Sequence, residues 1–301
     1  MTKYYYEKVD AFTALGSKGN PAAYLYLERG QSLTDKQMQE IAAEHKGFVS
    51  EVVYCAEKGG AEFDLVYYSS EREVPFCGHG TIACMYSLIK KTPALLNQPE
   101  ITIYTRTKGS LVIFNKIPEQ NAIFISAPEP VYLDVPVGIE DIAESIGIDT
   151  SVISNDRCPV DFIDAGNRTL IVPLKNLDDT VNIFPDEQKQ KKFSLKNGID
   201  VVLIFSMDTR DRTHFAHTRV FAAKYGYLED PATGSGNSAF GYYLLKNKLW
   251  SGESISIEQG GCDRVFNMVR LTYHDGRVLF GGSATTSIRG EYLLNEEDPV
   301  I

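Results

Sequence analysis

The five cysteines among the 301 residues (Cys55, Cys77, Cys84, Cys158 and Cys262) form no Cys-x-x-Cys pair. Their odd number and wide spacing argue against a disulfide framework and a zinc knuckle. The five histidines (His45, His79, His214, His217 and His274) show no metal-ligand spacing, so no metal is expected. A basic stripe is also lacking. Lys and Arg number 30 against 40 Asp and Glu, a net charge of −10, whereas nucleic acid binding needs clustered cations. The tightest basic groups, Lys90 with Lys91 and Lys189 with Lys191 and Lys192, read as solvated faces. No apolar run approaches the roughly 18 residues of a membrane span. The N-terminal Met-Thr-Lys-Tyr-Tyr-Tyr-Glu has no apolar signal core. These absences lead to the expectation of a reduced, cytoplasmic protein with neither nucleic acid nor membrane as partner. A Gly-x-x-x-x-Gly-Lys-Ser/Thr loop, a His-Glu-x-x-His motif and low-complexity tracts are missing too. Ser235 lies in Gly-Ser-Gly but not in the Gly-x-Ser-x-Gly elbow of a nucleophilic serine.

What is present is ordinary globular composition, 43% hydrophobic and 23% charged, in a chain long enough for two cored domains. Its most informative feature is a motif written twice. Val74-Pro-Phe-Cys-Gly-His-Gly-Thr-Ile-Ala83 aligns without gaps on Asp230-Pro-Ala-Thr-Gly-Ser-Gly-Asn-Ser-Ala239, at a constant offset of 156 residues. Glu73/Glu229, Pro75/Pro231, Gly78/Gly234, Gly80/Gly236 and Ala83/Ala239 are identical pairs. A Gly-x-Gly turn opening a small-residue helix presents backbone N–H groups that hold anions. One such turn in each half predicts a site between two similar domains.

Alternation and turn signals predict strands over residues 4–12, 22–27, 49–56, 63–69, 101–107, 110–115 and 122–126 in the first half. A helix follows the capping box Thr34-Asp-Lys-Gln37 and runs to about residue 45, and another spans about 81–91. Gly19-Asn20-Pro21 reads as a turn. Pro128, Pro130 and Pro136 mark a crossover into the second half. There, helices are predicted over 141–146 and 238–246, and strands over 169–173, 201–206, 217–222, 254–259, 266–273 and 277–280. Residues 285–293 return to the first domain. The expected architecture is α+β, twice over: residues 1–126 with 284–301, then 127–283.

Four residues carry candidate chemistry. Glu51 interrupts the apolar run Phe-Val-Ser-Glu-Val-Val-Tyr. Poor solvation there would raise its pKa toward that of a useful general base and acid, unless it simply alternates outward into water. His79, at a helix start, is expected to have a lowered pKa and a neutral ring that bonds either substrate or backbone. Asp230 beside the second glycine turn is either functional or a helix cap. Cys77, near a helix start, is expected to have a lowered pKa and is the rival nucleophile or base. The matching position in the second half is Thr233, a poor second acid, which argues against a two-thiol racemase. Cys55, Cys84, Cys158 and Cys262 read as small packing residues.

At these residues the chain resembles the phenazine-biosynthesis PhzF-like isomerase family, related in fold to diaminopimelate epimerase. The matching segments are Val9-Asp-Ala-Phe-Thr13, Gly19-Asn-Pro-Ala-Ala23, Ser50-Glu51, Glu73-Val-Pro-Phe-Cys-Gly-His-Gly-Thr-Ile-Ala83, Glu229-Asp-Pro-Ala-Thr-Gly-Ser-Gly236 and Gly281-Gly-Ser-Ala284. The resemblance implies two similar domains, each a sheet wrapped around a central helix, with a site in the cleft. It implies a homodimer with neither metal nor organic cofactor. The family's known isomerase moves a proton within trans-2,3-dihydro-3-hydroxyanthranilate. By motif, Glu51 would be the proton shuttle, with His79 and Asp230 holding substrate and assisting transfer. Groups around Gly78, Gly80, Gly234 and Ser235 would hold a substrate carboxylate. Val52, Val66, Ser70, Ala223 and the run Gln259-Gly-Gly-Cys-Asp-Arg-Val-Phe-Asn-Met depart from the family pattern, which points to an altered pocket. Two alternatives stand beside the isomerase. One is an epimerase or dehydratase using Cys77 with Asp230 or Thr233. The other is a catalytically silent ligand-binding protein on an inherited fold.

Overall fold

A computed structural model of the chain describes residues 1–154, 158–261 and 265–295. Two compact units emerge. The first holds Met1–Thr13, Lys18–Ile125 and the chain from Gly282; the second holds Ala14–Ser17 and Ser126–Gly281.

In the first unit the hub is the helix Gly78–Lys91, buried continuously from Gly80 to Ile89. Its run Thr-Ile-Ala-Cys-Met-Tyr-Ser-Leu-Ile is apolar or small on every side, the pattern of a helix enclosed by other elements. Strands Thr2–Ala11, Asn20–Leu27, Glu51–Gly59 and Ala284–Leu294 pack around it. Thr2–Ala11 pairs antiparallel with both Asn20–Leu27 and Ala284–Leu294. Asn20–Leu27 then runs parallel to Glu51–Gly59, placing Ala22 beside Glu51. Glu51–Gly59 is antiparallel to Glu62–Ser69, which is parallel to Glu100–Thr105, itself antiparallel to Gly109–Lys116.

Alternation assigns the two faces of Glu51–Gly59. Val52 and Tyr54 enter a cluster with Met38, Ile41 and Ala42 of the helix Asp35–Glu44. The Tyr54 hydroxyl donates to the Met38 carbonyl at 2.6 Å. Val53 faces the central helix, with its Cγ2 3.0 Å from where a Cβ on Gly80 would sit. Glu51, two residues before Val53, shares that inward face.

The second unit repeats the order. Arg168–Pro173 is parallel to Val201–Ser206, which is antiparallel to Ala216–Phe221. Ala216–Phe221 is parallel to Ile255–Gln259, itself antiparallel to Asn267–His274. Its hub is the helix Gly234–Lys246, buried from Gly236 to Leu244. Glu73–Val74 and Glu229–Asp230, the two-residue strands just before the hubs, pair with the equivalent inner strands of their units.

Both glycine pairs differ from expectation. Neither forms a turn ahead of its helix; both lie inside the first helical turn, after Cys77 and Thr233 as N-caps. None of the four has a positive φ. For Gly80, Gly234 and Gly236 close approach, not backbone freedom, is the constraint. A Cβ on Gly80 would meet the Cys77 sulfur at 3.0 Å, and one on Gly234 would meet the Phe280 ring at 2.1 Å. Gly234→Ala is therefore expected to cost about 1–3 kcal/mol through overpacking. A urea titration should show the lowered midpoint, with part of the loss recovered in Gly234→Ala/Phe280→Leu.

Other differences are local. Asn20 and Pro21 lie within a strand, and only Gly19 of that expected turn takes the left-handed conformation, with φ 68°. The helix Glu187–Asn197 and the strands Val131–Leu133 and Asp161–Asp164 were not expected. Lys91 is not simply a solvated charge: its ammonium donates to the buried Glu7 carboxylate at 2.9 Å. Cys55 and Cys84 are wholly buried packing residues, as read, and Cys158 is half-buried. Cys262 lies outside the described residues. Among the described residues, no helix is long and apolar enough to cross a membrane.

Candidate active site

Three groups converge where the strand Glu51–Gly59 begins beside the N-terminus of the Gly78–Lys91 helix. Strand register turns Glu51 inward. The Cys-x-His spacing carries Cys77 at the N-cap and His79 at the second helical position to the same point. His79 Nε2 lies 3.1 Å from Glu51 Oε2, and the two side chains are only 13% and 20% exposed. The Cys77 thiol donates to Glu51 Oε2 at 3.7 Å and lies 3.5 Å from His79 Nδ1. Cys77 is itself held, since its sulfur accepts the Gly80 N–H at 3.3 Å. Its carbonyl accepts the Thr81 hydroxyl at 2.7 Å, and Tyr67 bonds that hydroxyl at 2.7 Å. One backbone donor expected to hold substrate, the Gly80 N–H, is thus spent on sulfur.

The electrostatics reverse three expectations. Burial pushes the Glu51 pKa up, but the His79 charge and hydrogen bonds from His79 and Cys77 outweigh it and hold the carboxyl below its usual value. Burial pulls His79 down, yet the neighbouring Cys77 sulfur and the Glu51 carboxylate, both within hydrogen-bonding reach, hold the imidazolium well above its ordinary range. Burial, reinforced by the Glu51 charge, raises the Cys77 thiol. Near neutrality the group is a carboxylate, an imidazolium and a thiol: one base and two acids within hydrogen-bonding reach of one another.

The second unit carries Asp230, Gly234 and Ser235. Asp230 pairs with Val220, and its carbonyl accepts Gln259 Nε2 at 2.8 Å. Gln259 Oε1 accepts the Thr233 N–H at 3.0 Å and Asn237 Nδ2 at 2.7 Å. One buried amide thus ties Asp230 to the start of the Gly234–Lys246 helix. Gly234 and Ser235 hold the first two helical positions, whose N–H groups an α-helix leaves without internal partners. The Ser235 hydroxyl accepts Asn167 Nδ2 at 2.9 Å and lies 3.1 Å from the Thr233 hydroxyl. Glu229 is committed elsewhere, to a two-pronged pair with the buried Arg219 at 2.9 and 2.8 Å. Sequence reasoning missed the bracing roles of Tyr67, Thr81, Asn167 and Asn237, and noted Gln259 only as a departure. Their partners are 14 residues or more away, except for the helix-start bonds to Cys77 and Thr233, so no local pattern announces most of these contacts.

The family profile described as phenazine biosynthesis-like protein, PhzC-PhzF, matches residues 9–290. An uncharacterized isomerase of Bacillus subtilis, YfhB, is 29% identical over 257 residues, covering 84% of this chain and 85% of that one. A trans-2,3-dihydro-3-hydroxyanthranilate isomerase of Pseudomonas fluorescens is 25% identical over 259 residues, covering 85% of each chain. Among solved structures, a phenazine biosynthesis protein of the PhzF family from Bacillus anthracis superposes with a TM-score of 0.83 at 26% identity, over 98% of this chain and 100% of that one. The repeated helix-centred units are the diaminopimelate epimerase-like fold expected from the sequence. With the doubled motif, the repeated strand order and a profile match over nearly its whole length, the chain belongs to the phenazine biosynthesis-like PhzC-PhzF family, a family of isomerases.

Proposed function

We propose that this protein is a cofactor-independent isomerase that shifts a proton within a small carboxylate-bearing substrate, with Glu51 as the shuttle. The observation that carries the reading is the Glu51–His79 pair at 3.1 Å, turned to the inner face of an otherwise apolar strand. Glu51 takes a proton from carbon, leaving an anion delocalised over the adjacent unsaturated system. The same carboxyl then returns the proton to another carbon, so no net oxidation or reduction occurs. In the free protein the His79 charge makes Glu51 a weak base. A substrate carboxylate that draws that charge toward itself raises the basicity of Glu51 at the moment of use. Asp230, Gly78, Gly80, Gly234 and Ser235 complete the proposed contacts with substrate. For Gly80 that contact is close backbone approach, since its N–H is already bonded. A homodimer, supported by the resemblance, and a cytoplasmic location, supported by the scattered, odd-numbered cysteines, accompany this reading.

The substrate named for the Pseudomonas fluorescens relative is a first candidate. Ser70 and Ala223, which depart from the common pattern, point instead to a related carboxylate, whereas Val52 and Val66 pack in the cluster around the helix Asp35–Glu44, on the face away from Glu51. Metabolites from cells, incubated with the wild-type protein and resolved by mass spectrometry, should yield an acid converted to an isomer of equal mass. In D2O the product should gain deuterium at the carbon that receives the proton, to the extent that the Glu51 proton exchanges before it is returned. Turnover accompanied by a mass change in H2O would refute the isomerase reading.

A second reading is favoured by the 3.7 Å approach of Cys77 to Glu51. In it Cys77 is the acid partner of an epimerase. Exchange at a substrate α-carbon that disappears in Cys77→Ser supports it.

A further inference from the structure

We propose that Glu51, Cys77 and His79 form an inhibitory site for a borderline-soft divalent cation, of the class of Zn2+, Co2+ or Cd2+. The argument is geometric. A thiol sulfur, an imidazole nitrogen and a carboxylate oxygen lie within 4.8 Å of one another. With Zn–S near 2.3 Å, Zn–N near 2.0 Å and Zn–O near 2.1 Å, a tetrahedral ion has ligand–ligand edges of about 3.5 Å (S–N), about 3.6 Å (S–O) and about 3.4 Å (N–O). The corresponding separations here are 3.8 Å from Cys77 Sγ to His79 Nε2, 3.7 Å from Cys77 Sγ to Glu51 Oε2, and 3.1 Å from His79 Nε2 to Glu51 Oε2. The three donors thus lie at about tetrahedral spacing; because Cys77 Sγ is nearer His79 Nδ1 (3.5 Å) than Nε2 (3.8 Å), the His79 ring must turn to aim its Nε2 lone pair at the ion. The fourth position falls to water or a ligand carboxylate, the open pattern of three-ligand zinc sites. The sulfur and nitrogen donors select against Mg2+ and Ca2+, which take oxygen ligands.

Two of the donors are pre-positioned by the fold. Cys77 is fixed by its cap to Gly80, and Glu51 by strand pairing on both sides. The histidine pattern of the sequence could not show this site. Cys77 and His79 supply only two ligands, and the third comes from a strand 26 residues away from Cys77. The ion is an inhibitor in this proposal, not a resident cofactor. Its inhibitory effect rests on the isomerase reading, because the ion occupies the carboxylate that would move the proton. Its binding does not rest on that reading.

Tag-free, full-length protein, kept reduced without a thiol reagent, is titrated with Co2+ and then Zn2+. Saturable one-to-one uptake is expected, with a thiolate-to-cobalt charge-transfer band in the near ultraviolet that Zn2+ abolishes. Mg2+ should give neither. Cys77→Ser and His79→Gln should each weaken Zn2+ binding at least about tenfold and remove or shift the band. Should either variant misfold by circular dichroism, alkylation of the wild type decides. Zn2+ should slow iodoacetamide labelling of Cys77, read by peptide mass, while leaving the half-buried Cys158 unchanged. No saturable uptake, undiminished binding in both folded variants, or unprotected Cys77 would each overturn the site. Binding with full turnover would instead overturn the role of Glu51 as shuttle and leave the metal site standing.

Discussion

Glu51→Gln should leave a folded protein whose turnover falls by about 10²–10⁴-fold, the usual contribution of a positioned acid–base group. The amide matches the carboxylate in size and accepts hydrogen bonds from His79 and Cys77 through its oxygen. It cannot take a proton from carbon at any accessible pH. The strand should be undisturbed, because Glu51 occupies the first position of Glu51–Gly59 and its backbone is paired on both sides, with Ala22 and Ser69. The loss should fall on kcat rather than KM, since the missing interaction exists only while the proton moves. Glu51→Asp should retain a measurable fraction, its carboxyl being withdrawn by one methylene. The isomerase mechanism fails if purified Glu51→Gln converts its substrate at the wild-type rate.

Glu7→Gln should destabilise the protein by about 3 kcal/mol, the lower end of the range for breaking a buried ion pair, because the partner cations retain access to water. Glu7 is completely buried, yet it is crowded with donors. Arg289 Nε reaches it at 2.6 Å, Lys91 Nζ at 2.9 Å, the Ser87 hydroxyl at 2.5 Å and the Tyr24 hydroxyl at 3.0 Å, and Tyr5 donates as well. Burial alone would raise its pKa, but bonds from Ser87, Tyr5, Lys91 and Arg289 outweigh that and bring it from 4.5 to about 2. The sign follows from the lowered folded value. The contribution is complete above pH 4.5 and declines as pH falls toward about 2. Urea unfolding of wild type and Glu7→Gln across that interval should therefore converge at the acid end. Glu258, also held at about 2, is common to both proteins and cancels in the difference. A gap that stays constant down to pH 2 would show that Glu7 gains nothing from its charge.

The doubled Gly-x-Gly motif is legible because close packing leaves little choice of residue. Only glycine lets the Cys77 cap and the Phe280 ring approach the hub helices so nearly, and that need survives in one-dimensional spacing. The strand 201–206 and the helix Asp35–Glu44 are legible for a similar reason: uninterrupted apolar burial in one, and both arms of a capping box in the other. The helix Glu187–Asn197 was not, because its buried residues include Gln190 and Ser194 and it carries no apolar stripe. The helix starts were placed three or four residues late, since glycine reads as a turn residue even where it serves as a contact residue.

Which residues have the chemistry to move a proton, and that a Gly-x-Gly helix start recurs in two related halves, can be read from the linear chain, because residue type and spacing encode both. Their ionisation cannot. Glu51, His79 and Cys77 each titrate opposite to the expectation drawn from local context, since each is governed by neighbours that only folding supplies. Strand register turned the Glu51 carboxylate toward the helix, and at 3.1 Å the imidazolium charge, together with hydrogen bonds from His79 and Cys77, outweighs the desolvation that would otherwise raise the Glu51 pKa.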